Sequence, residues 1–477
     1  MRAWFRLAVV ACGVGMGCVR PDAFVCDQDL DCVRAAGVGH CEETSFCSYD
    51  DALCGSRRRY SELAGPFAGE CVTPEGVASS SPTVPGDTDD DDGVADDGGA
   101  TEATPDDGSE DDGGAPAPSD GHLVWSRLVS HPSGGSDRFG ALLVTGDRIV
   151  AAGQQRTDLS IVALAAGSGD IVAQLIHDVG GSDDAVHALA LGDGGELVAC
   201  GRNDDAILGV QAWIGTVDAA LTEPPLVASF WREHTCHAVM PLDAERMIAA
   251  GEGLPFLPGP GYAWLYAFER DNPTLGTVHE NEGDQSVWHA AAQVSGIPMF
   301  GGRLGASTQA GKGVVAGLDD AESPSQFAVF SDALWAVHGL VPDAGGFVLG
   351  GFESTAGAAT AWVSAHTPSG GERWSWRPGH APWPTSGIEA VAVDSQGFTV
   401  AVGFVSDGSD QQRWIVRLDS GGALLWSYAL PNEVTGGRDL ASAVAILPGD
   451  DIVVVGEAEV APGETDAWVA RFSPDDA

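Results

Sequence analysis

The chain contains few basic residues, and lysine is almost absent from it. Of 477 residues, 23 are Lys or Arg and 69 are Asp or Glu, which gives a formal net charge of −46; the single lysine is Lys312. A chain this acidic repels both the phosphate backbone of nucleic acids and anionic lipid headgroups. We therefore expect no nucleic-acid partner and no direct electrostatic attachment to a membrane surface.

Long apolar runs are also missing, since no stretch approaches the roughly 20 apolar residues of a membrane helix. The short apolar run at residues 7–16 follows two arginines, which is the pattern of an export signal. Gly17-Cys18 resembles a bacterial lipobox, although Gly15 stands where that family prefers Leu. The resemblance implies a signal peptide over residues 1–17 and an acyl anchor at Cys18; ordinary signal cleavage nearby is the alternative.

Cysteine is concentrated in residues 19–72. An even number of cysteines in a short exported segment favours a small module held together by disulfides, because about 50 residues bury too little apolar surface to fold alone. No Cys-x-x-Cys pair occurs and His40 is the only nearby histidine, so a zinc site is the weaker alternative. The predicted disulfide cysteines, whose pairing the sequence leaves open, are Cys26, Cys32, Cys41, Cys47, Cys54 and Cys71.

Basic residues are absent between Arg59 and Arg127, and residues 73–120 are rich in Asp and Glu. Such a segment has little apolar surface to bury and repels itself, which predicts a disordered acidic linker. Asp90–Asp96 partly resembles a calcium loop but lacks the full ligand spacing. Calcium is therefore a possible cofactor here, with a plain solvated tether as the alternative, and no other cofactor is predicted.

Residues 121–477 are repetitive. A β-type apolar run ending in glycine recurs seven times, at spacings of 48, 50, 50, 49, 53 and 53 residues. A glycine turn precedes most of these runs, and a tryptophan follows 11–13 residues later in five repeats. Four short strands in about 50 residues form one blade of a β-propeller. The repeat glycines are Gly153, Gly201, Gly251, Gly301, Gly350, Gly403 and Gly456.

The two ends of this region complement each other. The chain stops where the fourth strand of the last repeat should begin, and Gly121–Trp125 repeats the Gly-x-x-x-Trp pattern of other fourth strands. We therefore predict an all-β, seven-bladed propeller of four-stranded blades, closed by an N-terminal strand in the last blade. Closing the ring in this way removes the free edges of the first and last sheets.

Histidines occur at related places in four successive repeats. They precede the repeat glycine by 14, 14, 12 and 12 residues, in predicted first strands that line the central channel. A metal-binding cluster is one hypothesis and packing between blades is the other. The candidate metal ligands are His187, His237, His289 and His338, with His234 and Cys236 beside the second of them.

The propeller contains only two cysteines, Cys200 and Cys236. They are predicted at the same axial level of adjacent blades, but packed sheets lie about 10 Å apart and a disulfide needs Cα atoms within about 7 Å. We expect two buried thiols, with a disulfide as the alternative.

Catalytic motifs are missing: no Gly-x-Ser-x-Gly or His-Glu-x-x-His occurs, and Gly305–Gly313 departs from the phosphate-loop pattern in spacing and in its last residue. Aspartates recur in the loops before first strands. They could bind cations together, but each is expected to cap backbone N–H groups in its own turn.

The order of segments resembles that of bacterial surface lipoproteins with a cysteine-rich module, an acidic tether and a propeller. The resemblance implies an outer-membrane lipoprotein of the cell envelope, surface-exposed or periplasmic, attached to the membrane through its acyl anchor. We expect a monomer that binds a protein or glycan ligand without catalysis. The alternatives are a propeller enzyme (a lyase, hydrolase or quinone-dependent oxidoreductase) and an envelope-assembly scaffold.

Overall fold

The computed structural model describes two parts of the chain, which divides into two units between residues 108 and 109. The described residues are 33–34, 37–38, 40–42, 47–50, 56–60, 72 and 123–474, the last range with gaps at 180–182, 193–194, 206–208, 223–225, 244, 254–260, 271, 282–285, 306–311, 319–323, 330–333, 356–357 and 380–382. The predicted signal peptide, acyl anchor, acidic linker and four of the six N-terminal cysteines lie outside these residues. No helix that could cross a membrane occurs in the described part.

The N-terminal unit contains five short strands. Two of them pair as a hairpin and three form a second sheet: β1 (Val33–Arg34), β2 (Gly37–Val38), β3 (His40–Cys41), β4 (Cys47–Asp50) and β5 (Arg58–Tyr60). Cys41 and Cys47 are direct cross-strand partners in the second sheet. Glu42 accepts a hydrogen bond from Arg58 at 2.7 Å. The predicted disulfide framework stays a prediction.

The second unit is a seven-bladed β-propeller, as predicted, and each blade is a four-stranded antiparallel sheet. Its first strand in the chain is β6 (Leu123–Val129). Blades 1 to 3 consist of β7 (Asp137–Thr145), β8 (Arg148–Gln155), β9 (Asp158–Ala165) and β10 (Ile171–His177); β11 (Ala185–Leu191), β12 (Leu197–Asp205), β13 (Gly209–Val217) and β14 (Leu226–Arg232); and β15 (His234–Pro241), β16 (Arg246–Gly253), β17 (Tyr262–Glu269) and β18 (Asn272–Asn281).

Blades 4 to 6 follow the same order of strands. They consist of β19 (Val287–Val294), β20 (Ile297–Leu304), β21 (Lys312–Leu318) and β22 (Pro324–Val329); β23 (Leu334–Asp343), β24 (Gly346–Thr355), β25 (Ala358–His366) and β26 (Glu372–Trp376); and β27 (Thr385–Val393), β28 (Thr399–Ser406), β29 (Gln411–Leu418) and β30 (Leu424–Ala429).

Blade 7 joins both ends of the propeller. It consists of β31 (Leu440–Ile446), β32 (Ile452–Ala461) and β33 (Glu464–Phe472), and β6 pairs with β33 as its fourth strand. The Nε1–H of Trp468 donates to the Ser126 hydroxyl across this seam at 2.8 Å. The predicted closure by an N-terminal strand is confirmed.

The hydrophobic core consists of seven clusters, one between each pair of neighbouring blades. Middle strands such as β8 and β9 are buried almost throughout, because a blade covers each of their faces. The fourth strand of the same blade, β10, is exposed or half-buried at every position. This explains why the second strands are continuous apolar runs, which made the repeat visible in the sequence.

Cys200 and Cys236 form a disulfide between blades 2 and 3, so the expectation of two free thiols was wrong. Their Cα atoms are 5.8 Å apart, within the range that a disulfide requires. The expectation used the usual 10 Å spacing of packed sheets. Blades converge towards the axis of a propeller, and there their inner strands approach more closely than two parallel sheets do.

Candidate functional site in the central channel

Every first strand has a β-bulge near its start, which marks what we call the upper face of the propeller. In each blade the pairing of the first and second strands shifts by one residue at this bulge, and this leaves one residue of the first strand without a partner opposite it. Blade 5 has a second shift, between Leu334 and Ala336, in addition to the one that the other blades share. A bulge re-aims the side chain of its extra residue. These seven residues, the bulge ring, are in blade order Gly140, His187, His237, His289, His338, Glu389 and Ser442.

The bulge explains the repeat glycine. The bulged strand pushes a carbonyl oxygen towards the second strand, where a Cβ on Gly456 would lie 1.8 Å from the oxygen of Leu440. In blades 4 and 5 the glycine that faces the bulge is the second of two, Gly302 and Gly351, rather than Gly301 and Gly350. Counted from these glycines, the bulge-ring residue lies 13 or 14 residues earlier in every blade.

Four consecutive members of the bulge ring are histidines, which we call the histidine arc: His187, His237, His289 and His338. Neighbouring rings are in contact, with centroid separations of 5.4 Å, 5.3 Å and 4.4 Å in chain order. All four line a cavity of about 230 Å³, and first strands of all seven blades contribute to its wall. The sequence predicted that these histidines share a face in the channel, and the structure brings them together there.

Hydrogen bonds fix which imidazole nitrogen carries the proton. The Nδ1 of His187 lies 3.1 Å from the carbonyl oxygen of Cys236, and a carbonyl can only accept, so Nδ1 is the donor. The Nδ1 of His338 donates to Glu389 at 2.7 Å. In the neutral form, Nε2 of each of these two rings therefore has a free lone pair.

Burial in the arc disfavours the protonated, charged form of two of its imidazoles. Burial lowers the pKa of His187 well below its ordinary value, and the positive charges of His237, Arg202 and Arg138 add to the effect. Burial likewise lowers the pKa of His289 well below its usual range, with contributions from neighbouring histidines. Both rings are therefore neutral at pH 7.

Carboxylates partner two members of the arc. Burial alone would raise the pKa of Glu389, but the charge of His338 and its hydrogen bond outweigh burial and lower it. The hydrogen bond from His237, which is 3.4 Å long, lowers the pKa of Glu252. Glu389 is therefore ionised above acidic pH and orients His338, as a carboxylate does for a functional imidazole.

A second ring of side chains lies one step nearer the upper face. Its members, each directly after the glycine that faces the bulge, are Gln154, Arg202, Glu252, Arg303, Phe352, Phe404 and Glu457. The Phe352 ring packs 5.1 Å from the His338 ring, and the Phe404 ring lies over Gly387. The second ring is therefore ionic in blades 2 to 4 and aromatic in blades 5 and 6.

Arginines are grouped around the arc in a chain that has few of them. Arg202 is paired with Asp183 at 2.5 Å. Among the described residues, the buried Nε of Arg303 lacks a hydrogen-bond acceptor, and the charge of Arg303 acts on Glu252 and His289. A cleft of about 290 Å³ adjoins this region in blades 7, 1 and 2, with Arg138 and Arg156 in its wall.

The metal hypothesis loses two of its six candidates. Cys236 is in a disulfide and cannot supply a thiolate. The Nε2 of His234 is 2.8 Å from the Tyr262 hydroxyl, and its ring packs beside Trp264, away from the arc. Across the described ranges, no three His, Cys, Asp or Glu side chains converge closely enough to hold a metal ion.

Two of the aspartates before first strands cap backbone groups near their own turns. Asp137 accepts from the backbone N–H of His131 and Arg156, and Asp184 accepts from that of Val179. A third, Asp439, accepts from the N–H of Glu459 on the adjacent second strand. Burial raises the pKa of Asp184 to about 6. Asp284 and Asp332 lie outside the described residues.

Sequence reasoning missed Glu389 and Arg303. Glu389 precedes Gly403 by 14 residues, the spacing that His187 and His237 have from their glycines, so the repeat register contained the signal. Arg303 directly follows a double glycine, and its place depends on which of the two glycines faces the bulge.

No protein-family model matches this chain, and no curated protein sequence matches it. Many solved structures resemble its fold. Sqt1 from Chaetomium thermophilum is 13% identical with a TM-score of 0.40, covering 72% of this chain and 97% of Sqt1. The Dos1 propeller is 9% identical (TM-score 0.43; 71% and 79% covered), and the polysaccharide lyase Uly1 is 10% identical (TM-score 0.44; 71% and 90% covered). Likenesses this distant say nothing about what the chain binds.

Proposed function

We propose that this protein is an exported binding protein that holds a small polar group of its ligand in the histidine-lined cavity of its propeller. The observation that carries the proposal is the histidine arc: four histidines at one structural position in consecutive blades, in ring contact, lining one cavity. Ligand sites are concave and contain a few convergent polar groups.

The fold itself does not call for these histidines. The same bulge exists in blade 1 with Gly140 and in blade 7 with Ser442. Burying imidazoles side by side carries a desolvation cost, which the lowered pKa values of His187 and His289 reflect. A costly group that the backbone does not require is typical of a functional site.

The cellular location of the protein is a further part of the proposal, and it rests on the sequence. An export signal over residues 1–17 and an acyl anchor at Cys18 would place the propeller at the cell envelope, attached to the outer membrane. The acidic segment at residues 73–120 would act as its tether.

The test is to fill the cavity from blade 1, at the end of the arc formed by His187. Gly140 precedes Ala141, which lines the cavity, and it has no positive φ. A Cβ there would lie 3.6 Å from its nearest neighbour, the carbonyl oxygen of Val186, so Gly140→Trp adds a large side chain beside the cavity. The control is Gly167→Trp at an exposed turn with nothing within 4 Å. The probe is a library of monosaccharides, organic acids and nucleosides, screened by the shift in melting temperature.

Compounds that bind the cavity should raise the melting temperature of the wild type and of Gly167→Trp but not of Gly140→Trp. At a hundredfold excess over Kd, binding stabilises the fold by roughly 2.7 kcal/mol. If every stabilising compound acts equally on Gly140→Trp, the cavity is not the binding site and the proposal fails.

The pair of His338 and Glu389 favours a second candidate, an enzyme. A carboxylate 2.7 Å from the Nδ1 of a cavity-lining histidine leaves Nε2 to act as the base, the arrangement of a general acid–base group. In that case, compounds from the same screen should be converted to products, and His338→Gln should abolish the conversion while leaving binding in place.

A further inference from the structure

Three arginines line one cleft on the upper face, in a chain with only 23 basic residues among 477. This arginine cleft, of about 290 Å³, lies where blades 7, 1 and 2 meet, and it shares no lining residue with the histidine cavity. Its arginines are Arg138, Arg156 and Arg202, of which the first two are exposed and can be reached by a solute. Guanidinium groups stay charged and present several N–H donors to an oxyanion. The cleft therefore contains the donors of an anion site.

The carboxylates in the wall neutralise only part of this charge. Asp183 is engaged twice, because it accepts from Arg202 at 2.5 Å and from the side-chain amide of Gln154. Glu457 is the second carboxylate in the wall, and the charge of Arg138 acts on it. Counted over the lining residues, three guanidinium groups face two carboxylates. The surplus of one positive charge matches one anionic group.

Arg156 is fixed beside the cleft by its own backbone. It follows β8 in a tight turn with a φ of 56°, in the left-handed region that favours glycine. Its N–H donates to Asp137 at 2.8 Å, and its carbonyl oxygen accepts from Gln154 at 2.7 Å. A Cβ on Gly135 would lie 2.6 Å from the Cγ of Arg156, so the arginine stem packs over this glycine. An arginine where glycine fits the backbone better favours a role for its guanidinium.

Contacts across the blade seams hold the wall of the cleft in place. The Thr465 hydroxyl donates to the carbonyl oxygen of Asp137 at 3.1 Å and joins blade 7 to blade 1, and the bond from Gln154 to Asp183 joins blade 1 to blade 2. A site that is already formed has little ordering left to undergo on binding. The net charge of −46 repels long polyanions, whereas at physiological salt charges within about 8 Å dominate locally. The cleft therefore suits a small anion.

We propose that the arginine cleft binds one oxyanion group, a carboxylate, sulfate or phosphate, of a small ligand. Arg138 and Arg156 would donate to its oxygens, and Arg202, which Asp183 orients, would add its charge. This site is separate from the histidine cavity, so the inference goes beyond the proposed function and does not depend on it.

The experiment is isothermal titration calorimetry of the full chain in a chloride buffer, at about pH 8, where carboxylates are ionised. Sodium sulfate, phosphate and acetate are the three titrants, and the one that binds most tightly identifies the oxyanion. Arg156→Gln should weaken its binding by about 10- to 100-fold, the effect of losing a charged hydrogen-bond donor. The control is Arg148→Gln, the same change at an exposed position roughly 26 Å away at the other end of β8.

Glu457→Gln supplies a result that a folding defect cannot imitate. It removes a negative charge from the wall at nearly constant volume, so binding should strengthen by roughly fivefold, the effect of one charge a few ångströms away in water. The inference is overturned if none of the three anions binds, or if Arg148→Gln weakens binding as much as Arg156→Gln does. Weaker binding in Glu457→Gln would also overturn it, because the wall would then need that carboxylate.

Discussion

The two sides of the channel have the same backbone and different side chains. Blades 2 to 5 place a histidine at the bulge, whereas blades 6, 7 and 1 place Glu389, Ser442 and Gly140 at the same position. The bulge and the glycine that faces it occur on both sides. We assign the bulge and its facing glycine, which all seven blades share, to the requirements of the fold. The histidines, which only blades 2 to 5 have, are then available for function.

The two sides are also held together differently. On the histidine side a disulfide joins β12 to β15, directly beside His187 and His237. On the other side, between blades 6 and 7, Arg413 forms a buried ion pair with Asp439 at 2.8 Å and lies over the Trp468 ring. The covalent link fixes the spacing of the first two arc residues, because the carbonyl of Cys236 holds the His187 ring.

Removing the disulfide should have the largest effect. It closes a loop of 36 residues, so the Cys200→Ala/Cys236→Ala protein should lose about 3–4 kcal/mol of unfolding free energy. Urea unfolding under oxidising conditions measures the loss. The ring signals of His187 and His237 should shift most in an NMR spectrum. Unchanged stability would show that the packing of the two blades suffices without the bond.

Two glycine variants test whether the bulge, which all seven blades share, is the reason for the repeat glycine. In Gly456→Ala the new Cβ would meet the Leu440 oxygen at 1.8 Å, which should cost about 3 kcal/mol because the bulge must shift. In Gly140→Ala the nearest atom is at 3.6 Å, so stability should change by less than about 0.5 kcal/mol. Thermal or urea unfolding of both variants decides. Similar losses would mean that the bulge does not explain the repeat glycine.

Much of the fold was predictable because the repeat glycine reports on backbone geometry. A Cβ-free position opposite a bulge is needed once per blade, so counting the glycines gave the number of blades and the register of the first strands. The histidines of the arc could be placed on one wall for the same reason. The bulge-facing glycine in blades 4 and 5 is one residue later than expected, so the spacing of 12 counted in the sequence becomes 13, close to the 14 of blades 2 and 3.

The rest of the site depends on distances that a one-dimensional pattern does not contain. The disulfide was missed because the convergence of blades towards the axis shortens the usual spacing between sheets. Arg303 and Phe352 were missed because each follows a double glycine, and the register of the second strand decides which face they share. The predictions for the signal peptide, the anchor and the linker concern residues outside those that the structure describes and stay predictions.

The smallest expected effect is a pH dependence that separates the two sides. Burial first, and then the charges of His338, His237 and Arg303, lower the pKa of His289 in the folded protein. The unfolded chain takes up a proton on this residue near pH 6.5, whereas the folded protein does not. Stability contributed by His289 is therefore constant above that pH and is lost as the pH falls below it, by at most about 1.4 kcal/mol per pH unit.

Replacing His289 with the residue of the opposite wall isolates this contribution. His289→Ser copies Ser442, and its unfolding free energy should fall less steeply than that of the wild type between pH 6.5 and pH 5. Asp184, whose pKa burial raises to about 6, works in the opposite direction, but it is present in both proteins and cancels in the difference. Ser442→Ala, which removes no titrating group, should follow the wild-type profile. Parallel curves for the wild type and His289→Ser would show that the arc accepts protons as easily as the unfolded chain does, and the chemical distinction between the two walls would then be lost.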